Sequence, residues 1–222
     1  MANNKLFQKR KKLQKDLARQ KAKRLPFEKA LIVCEDSKST PHYLEGFRDA
    51  LRLSSINVKI FGKECGSDPK SVIDFARQEY LKEKRKGDSY DKVFCVIDKD
   101  SHNTLDQAKN DIRVFRPRET LFGIISVPCF EYFLLLHYEF TTKSFAATGN
   151  KSVCGCVIHD LKKYIPDYRK GDKGIYEATK GNLEIAIKNC KKANLAAHEV
   201  GTDNPTTLMH ELIEYLRTLE SN

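Results

Sequence analysis

Val93-Phe94-Cys95-Val96-Ile97-Asp98-Lys99-Asp100 is an unbroken apolar run that ends in two aspartates. Leu31-Ile32-Val33-Cys34-Glu35 has the same pattern and ends in a glutamate. Strands that are buried on both faces of a parallel sheet are continuous apolar runs, and ligands of such sheets bind at the carboxyl ends of the strands. We therefore predict an α/β fold in which Glu35, Asp98 and Asp100 meet at one rim of the sheet.

The chemistry of this rim follows from the three carboxylates. Side chains two positions apart on an extended segment point the same way, so Asp98 and Asp100 should aim together. Carboxylate oxygens are the ligands that Mg²⁺ or Mn²⁺ prefers, which predicts a Mg²⁺ (or Mn²⁺) site. The alternative is that the aspartates only form a turn after the strand. The position of Glu35 at the same end of another predicted strand favours the metal site.

Apolar runs and helix-start signals alternate along the first half of the chain. Strands are predicted near residues 29–34, 56–61, 92–97 and 121–126, and helices near 41–53, 69–86 and 104–115. Pro41 and Pro69 suit first helical positions, preceded by Thr40 and Asp68 as caps. This alternation predicts a Rossmann-like parallel sheet flanked by crossover helices.

Residues 129–138 follow Pro128 and are apolar on nearly every face except at Glu131. As a helix this segment would be mostly buried. A buried carboxylate is costly unless it is paired or bound to a metal, which makes Glu131 a candidate fourth metal ligand. Alternatively, Glu131 occupies the first turn of its helix, where the helix dipole favours a negative charge.

The second half of the chain predicts a helical C-terminal part. Residues 139–150 are typical of a loop, and 153–164, 175–193 and 206–219 are predicted helices, the last capped by Thr206 or Thr207. The predicted organisation is a basic N-terminal arm at 1–28, a catalytic core at 29–138, and a helical part at 139–222 packed on the core.

The positive charge of the chain is concentrated at its beginning. The net charge is +10, and residues 1–28 hold ten Lys or Arg against two acidic residues, a local +8. Basic arms bind polyanions, so we expect a nucleic-acid partner, although a merely solvated helix or tail is the alternative. The candidate nucleic-acid contacts are Lys9, Arg10, Lys11 and Lys12 in the arm, and Lys38, Lys99 and His102 beside the acidic positions.

Seven cysteines without regular spacing, several of them inside apolar runs, predict buried thiols and no disulfide framework. No apolar stretch reaches the roughly 18 to 20 residues that span a bilayer, and the basic N-terminus is not followed by an apolar signal core. We expect a cytoplasmic protein with no membrane partner.

Other site types are disfavoured by their spacing. Cys154, Cys156 and His159 lack the fourth ligand and the paired spacing of a structural zinc site. The glycines of segment 62–66 lack the Gly-Lys-Ser/Thr ending of a phosphate loop. No Gly-x-Ser-x-Gly elbow indicates a serine hydrolase, and His137, on an apolar helix, suits a core position.

Three segments carry a further signal: residues 31–47, which include Glu35, Lys38 and Pro41; residues 96–100 with the two aspartates; and residues 126–137 with Glu131. Together they resemble the RloB family of Toprim-type proteins from bacterial defence loci. Asn204-Pro205-Thr206 and the closing helix are similar to the end of that family. The resemblance covers about residues 28–218.

The resemblance implies a Toprim-like fold that binds Mg²⁺ or Mn²⁺ for phosphodiester chemistry. By motif match, Glu35, Asp98 and Asp100 take the catalytic positions and Glu131 the later acidic one. Related effectors work with a partner ABC-type ATPase in abortive infection, some as nucleases on transfer RNA. Two departures are Asp36 in place of the usual glycine and Thr40 in place of a further acid. Hydrolysis is expected rather than religation, which would need a tyrosine on a separate strand-passing domain. The alternative function is a non-catalytic nucleic-acid or protein binding module.

Overall fold

The structure is a computed structural model that describes residues 28–66, 68–99 and 105–220. A five-stranded sheet lies at its centre with the strand order β2-β1-β3-β4-β5. The first four strands are parallel, and β5 is antiparallel to β4. The strands are β1 Ala30–Cys34, β2 Val58–Phe61, β3 Lys92–Asp98, β4 Leu121–Val127 and β5 Thr206–Thr207.

Helices cover both faces of this sheet. They are α1 Ser39–Ala50, α2 Pro69–Arg85, α3 Leu105–Val114, α4 Glu131–Leu135, α5 Val153–Leu161, α6 Ile175–Thr179, α7 Leu183–Glu199 and α8 Met209–Glu220. Helices α2 and α3 pack on one face, and α1 and the C-terminal helices pack on the other. The predicted fold class, a Rossmann-like α/β sheet with a helical C-terminal part, is confirmed.

The apolar runs are buried on both sides, as their composition predicts. In β1, Ala30, Ile32 and Cys34 pack in the core beside α1, whereas Leu31 and Val33 pack in the core beside α2. All five residues of the strand are buried. Because both faces are covered by helices, neither face of the strand carries a polar side chain.

The two predicted helix starts have different outcomes. The Asp68 cap is confirmed, since its carboxylate accepts the backbone N–H groups of Lys70 and Ser71. The prediction that α1 begins at Pro41 is wrong, because α1 begins at Ser39. The carboxylate of Asp36 accepts three backbone N–H groups at this end of the helix, from Lys38, Ser39 and Thr40. This earlier cap places Pro41 inside the first turn, where a proline is tolerated.

The helix predicted over 175–193 is interrupted. It consists of α6, a 3₁₀ turn at Lys180–Asn182, and α7, which extends to Glu199. The Thr179 hydroxyl donates to the carbonyls of Ile175 and Tyr176, and Gly181 follows. Back-bonding hydroxyls and glycine both weaken a continuous helix, which accounts for the break.

Two further segments differ from their predicted form. Residues 129–137 are buried as predicted, but only Glu131–Leu135 is helical. Thr206 and Thr207 form β5 instead of the start of the last helix, and the buried hydroxyls of Ser126 and Thr207 lie 2.9 Å apart. The last helix begins at Met209, whose N–H donates to the Thr207 hydroxyl.

All seven cysteines are free thiols, and five of them are buried, which agrees with the absence of a disulfide framework. Among the helices of the described residues, none combines the length and the apolar character that crossing a membrane requires.

Candidate functional site

The sheet register brings Glu35 and Asp98 together. Cys34 of β1 lies opposite Val96 of β3, and the Glu35 N–H donates to the Val96 carbonyl at 2.9 Å. The Glu35 carboxylate in turn accepts the backbone N–H of Asp98 at 3.0 Å. The acidic residues that end the two central strands therefore meet at one rim, as the sequence predicts.

Asp98 lies in an environment that disfavours its negative charge. Burial, followed by the negative charge of Glu131, raises the pKa of Asp98 well above its ordinary value. A hydrogen bond from the Phe130 backbone opposes this shift, and Glu35 adds to it. Opposing charge brought to this rim would relieve the repulsion between the carboxylates.

Glu131 is the first residue of α4 and only 1% exposed. Its carboxylate accepts the Tyr168 hydroxyl at 3.1 Å, and the Lys170 ammonium lies 3.4 Å from the same oxygen. This buried carboxylate is thus paired, as the cost of burying a charge requires. Burial lowers the pKa of Lys170, but the negative charges of Glu131 and its neighbours outweigh it, and the net shift is upward.

Tyr168 and Lys170 lie on a segment that sequence reasoning missed, residues 168–171, which we call the clamp loop. The Gly171 N–H donates to the Ser39 hydroxyl at 3.0 Å, and the Gly171 carbonyl lies 2.9 Å from His42 Nδ1. Gly171 has a φ of +84°, and a Cβ there would lie 2.9 Å from the Lys38 side chain. These contacts fix the clamp loop to the start of α1. The glycines of residues 171–174 were the only signal in the sequence, and they indicate a turn without indicating its partner.

Two thiols border the acidic rim. A hydrogen bond with Cys154, together with burial, raises the pKa of Cys129 well above its ordinary value. Cys156 donates its thiol to the Ala146 carbonyl instead. Across residues 28–66, 68–99 and 105–220, no three His, Cys, Asp or Glu side chains are arranged to hold a metal ion, and this includes Cys154, Cys156 and His159.

A family model described as RloB-like protein matches residues 30–216. The match extends from β1 into α8 and includes every described acidic position of the rim. The chain belongs to the RloB-like family. No curated protein and no solved structure is significantly similar to it.

The two departures of this RloB-like chain from the expected motif have structural explanations. Asp36, in place of glycine, caps α1 by accepting its three backbone N–H groups. Thr40, in place of an acid, is buried in the first turn of α1. Both positions contribute to folding of the loop that follows β1.

Of the predicted nucleic-acid contacts, only Lys38 and Lys99 lie within the described residues. Lys38 is exposed beside the clamp loop. Lys99 donates its N–H to the Ser126 carbonyl, and its ammonium forms an ion pair with Asp203. The other predicted contacts lie outside the described residues; they are Lys9, Arg10, Lys11, Lys12 and His102. The predicted metal ligand Asp100 also lies outside them.

Proposed function

We propose that this RloB-like chain is a nuclease that hydrolyses phosphodiester bonds with Mg²⁺ or Mn²⁺, on RNA such as transfer RNA rather than DNA. One observation carries the proposal: the Glu35 carboxylate accepts the Asp98 N–H at 3.0 Å, which places the acidic ends of β1 and β3 together. The buried Glu131 adds its charge to that of Asp98. Converging carboxylates at the carboxyl rim of a parallel sheet are typical of metal-assisted phosphoryl chemistry.

The acidic groups of this rim suit a hard divalent cation, because they offer carboxylate oxygens. Glu35, Asp98 and Asp100 would hold the ion, with Glu131 as a further ligand. A bound ion supplies charge neutralisation on the scissile phosphate and lowers the pKa of a bound water. The raised pKa of Asp98 supports the assignment, since a cation is the partner that this half-buried carboxylate would gain.

The residues of the chain have separate tasks in this proposal. The Asp98 N–H orients one oxygen of Glu35, which acts as a ligand or as the general base that takes a proton from water. Tyr168 and Lys170 fix the orientation of Glu131. Groups held in this way by backbone and neighbouring side chains need little rearrangement when substrate binds.

The test is cleavage of mixed transfer RNA, plasmid and single-stranded DNA, with Mg²⁺, with Mn²⁺ and with EDTA. The full chain is assayed alone and after co-expression with its genomic neighbours. We expect metal-dependent cleavage, with transfer RNA the preferred substrate. Intact substrates in every arm, with a folded protein, would contradict a nuclease function.

We also propose that the chain is an effector of an anti-phage abortive-infection system controlled by a partner ABC-type ATPase. The resemblance to defence-locus proteins supports this role. Gly62 of segment 62–66 has a packing explanation, since a Cβ there would lie 2.5 Å from the Pro41 ring, and Gly66 has a φ of +82°, which favours glycine. We therefore assign nucleotide sensing to the partner.

A non-catalytic binding module is the second candidate function. It is favoured by the arrangement of the described residues, in which no three ligand-type side chains are placed to hold a metal. It is also favoured by Lys170, because its ammonium already compensates the negative charge of Glu131. This candidate predicts nucleic-acid or protein binding that is unchanged by EDTA and no cleavage in any arm of the test.

A further inference from the structure

The folded body carries a basic surface at the end of the sheet opposite the acidic rim. Helices that connect parallel strands run back along the sheet, so α2 and α3 both end beside the strand starts. The last turns of both helices hold basic residues, with Lys82, Lys84 and Arg85 in α2 and Arg113 in α3. Of these, Lys82 is paired with Glu79. Residues after 28 have a net charge of only +2, but this charge is unevenly distributed.

A groove of about 300 Å³ lies in this surface, between the end of α3 and the start of β4. The apolar part of its lining includes Phe115, Leu121 and Phe122, and the rest includes the exposed Arg113 and Arg118. Glu119 is the one acidic residue in the lining. The groove therefore combines an apolar floor with a cationic edge.

Three of the cations around this groove have neutral partners. Arg113 donates to the amide oxygen of Asn110, and Arg116 donates to the backbone carbonyls of residues 113–115. Lys92 donates to the Glu119 carbonyl at 2.8 Å and lies 4.8 Å from the centre of the Phe122 ring. Hydrogen bonds to amides and carbonyls fix these side chains without cancelling their charge, so the surface stays attractive to anions.

The basic surface extends from the groove to α2. The Phe115 ring contacts Tyr80 edge-on at 5.3 Å, and the Lys84 ammonium lies 5.7 Å from the centre of the Tyr80 ring. On the other side, Lys92 adjoins Lys29, whose carbonyl accepts the Lys92 N–H and whose buried ammonium is paired with Asp88. The arm therefore joins the folded body at the same end of the sheet as the groove.

We propose that this groove binds single-stranded nucleic acid, with one base against the apolar floor and the flanking phosphates on Arg113 and Arg118. Guanidinium groups beside aromatic rings suit phosphates and unstacked bases. A duplex keeps its bases stacked inside and cannot offer one to the groove. The inference rests on the proposed function only in choosing nucleic acid as the anion, because binding here involves no residue of the acidic rim.

The test measures binding of the full chain to a labelled single-stranded RNA of about 12 nucleotides that contains 2-aminopurine. EDTA is present throughout, so the result is independent of cleavage. Arg113→Gln with Arg118→Gln should weaken binding at least fivefold. The double variant should also reduce the salt slope of log K by about 1.4, at about 0.7 for each phosphate that the protein no longer neutralises. Stacking should quench 2-aminopurine fluorescence in the wild type and less in the double variant.

Two further variants distinguish binding at this groove from a general effect of the net charge of the protein. Glu119→Gln removes the acidic residue of the groove and should tighten binding, whereas Arg77→Gln, an exposed arginine in α2, should leave the affinity within twofold. Equal weakening by Arg77→Gln and by either groove arginine changed singly would overturn the proposal. So would tighter binding of duplex RNA than of single strands, or displacement of the RNA by polyglutamate without any 2-aminopurine quenching, which would assign the groove to an acidic protein.

Discussion

The Glu35 carboxylate accepts the backbone N–H of Asp98 at 3.0 Å, across two neighbouring parallel strands. This bond depends on the β1–β3 register, in which Cys34 lies opposite Val96. A slip of one residue would reverse the faces of all side chains in the strand. The acidic rim is therefore coupled to the packing of the two central strands, and its geometry should survive changes to side-chain charge alone.

Removing a carboxylate of the rim should abolish activity while leaving the fold intact. Glu35→Gln, Asp98→Asn and Asp100→Asn should each reduce cleavage by about a hundredfold or more, because the ion loses a ligand. Asp98→Asn should be at least as stable as the wild type at neutral pH, since burial disfavours the charge it removes. Cleavage assays and circular dichroism melts measure the two effects. Glu45→Gln, an exposed carboxylate on α1, is the matched control, and wild-type cleavage by all three variants would refute the assignment.

The clamp loop should contribute measurable stability through Glu131. Tyr168→Phe removes the hydroxyl that donates to the buried carboxylate and should cost about 1.5–3 kcal/mol in urea unfolding. Tyr164→Phe also removes a hydroxyl bonded to a glutamate, Glu139, but at an exposed position, and should change stability by no more than about 0.5 kcal/mol. Equal costs for the two variants would mean that the buried contact has no special role.

His137 should make a contribution to stability that is lost in mild acid. Burial lowers the pKa of this histidine from 6.5 to about 4, and its ring contacts the Phe133 carbonyl and the Tyr43 hydroxyl. Between these two pH values the unfolded chain binds a proton that the folded chain does not. The contribution of His137 to the unfolding free energy should therefore be constant above pH 6.5. Below pH 6.5 it should decrease by about 1.4 kcal/mol per pH unit, and by about 3 kcal/mol in total.

Urea titrations between pH 7.5 and 4 measure this dependence. His137→Gln should lower stability at neutral pH but flatten the curve, whereas His159→Gln, at an exposed position, should leave its slope unchanged. His210 is also buried with a lowered pKa and adds to the same trend, whereas Asp98, whose pKa is raised, opposes it. A wild-type slope retained in His137→Gln would exclude His137 as the cause.

The basic arm should contribute affinity rather than sequence preference. Deleting residues 1–27 removes ten lysines and arginines, and Glu28, whose carboxylate accepts the Tyr215 hydroxyl, is kept. Phosphate contacts act through counterion release, so the deletion should weaken nucleic-acid binding and flatten its salt dependence. Fluorescence anisotropy at several salt concentrations measures both. An unchanged salt slope would assign the arm to a protein partner or to no binding role.

Control by a partner predicts that the isolated chain is weakly active or silent in cells. Toxicity should appear when the chain is expressed with its genomic neighbours. Replacing the partner with an ATPase-inactive variant should change the level of this toxicity. Growth and RNA integrity are the readouts, and Asp98→Asn co-expressed with the same neighbours is the control. Full toxicity from the isolated chain at low expression would exclude partner control. The surface for such a partner is predicted at the arm or at residues 139–222.

Local patterns were sufficient for the central strands and for one helix start. The apolar runs predicted β1 and β3 closely, and Asp68 caps α2 as predicted, because burial period and cap chemistry operate within a few residues. The α1 start was predicted two residues too late, because Asp36 accepts the N–H groups of Lys38, Ser39 and Thr40 and so caps the helix before the expected Thr40 cap.

The sequence by itself determined that Glu35 and Asp98 end buried strands, because an unbroken apolar run has one stable environment in an α/β protein. Only the tertiary structure decided what surrounds them. Tyr168 reaches Glu131 across 37 positions of the chain, and Thr206 and Thr207 leave the predicted helix to pair with β4. Such contacts depend on where distant segments pack. A polar side chain needs a hydrogen-bond or ionic partner when it is buried, but only the folded structure determines which group becomes that partner.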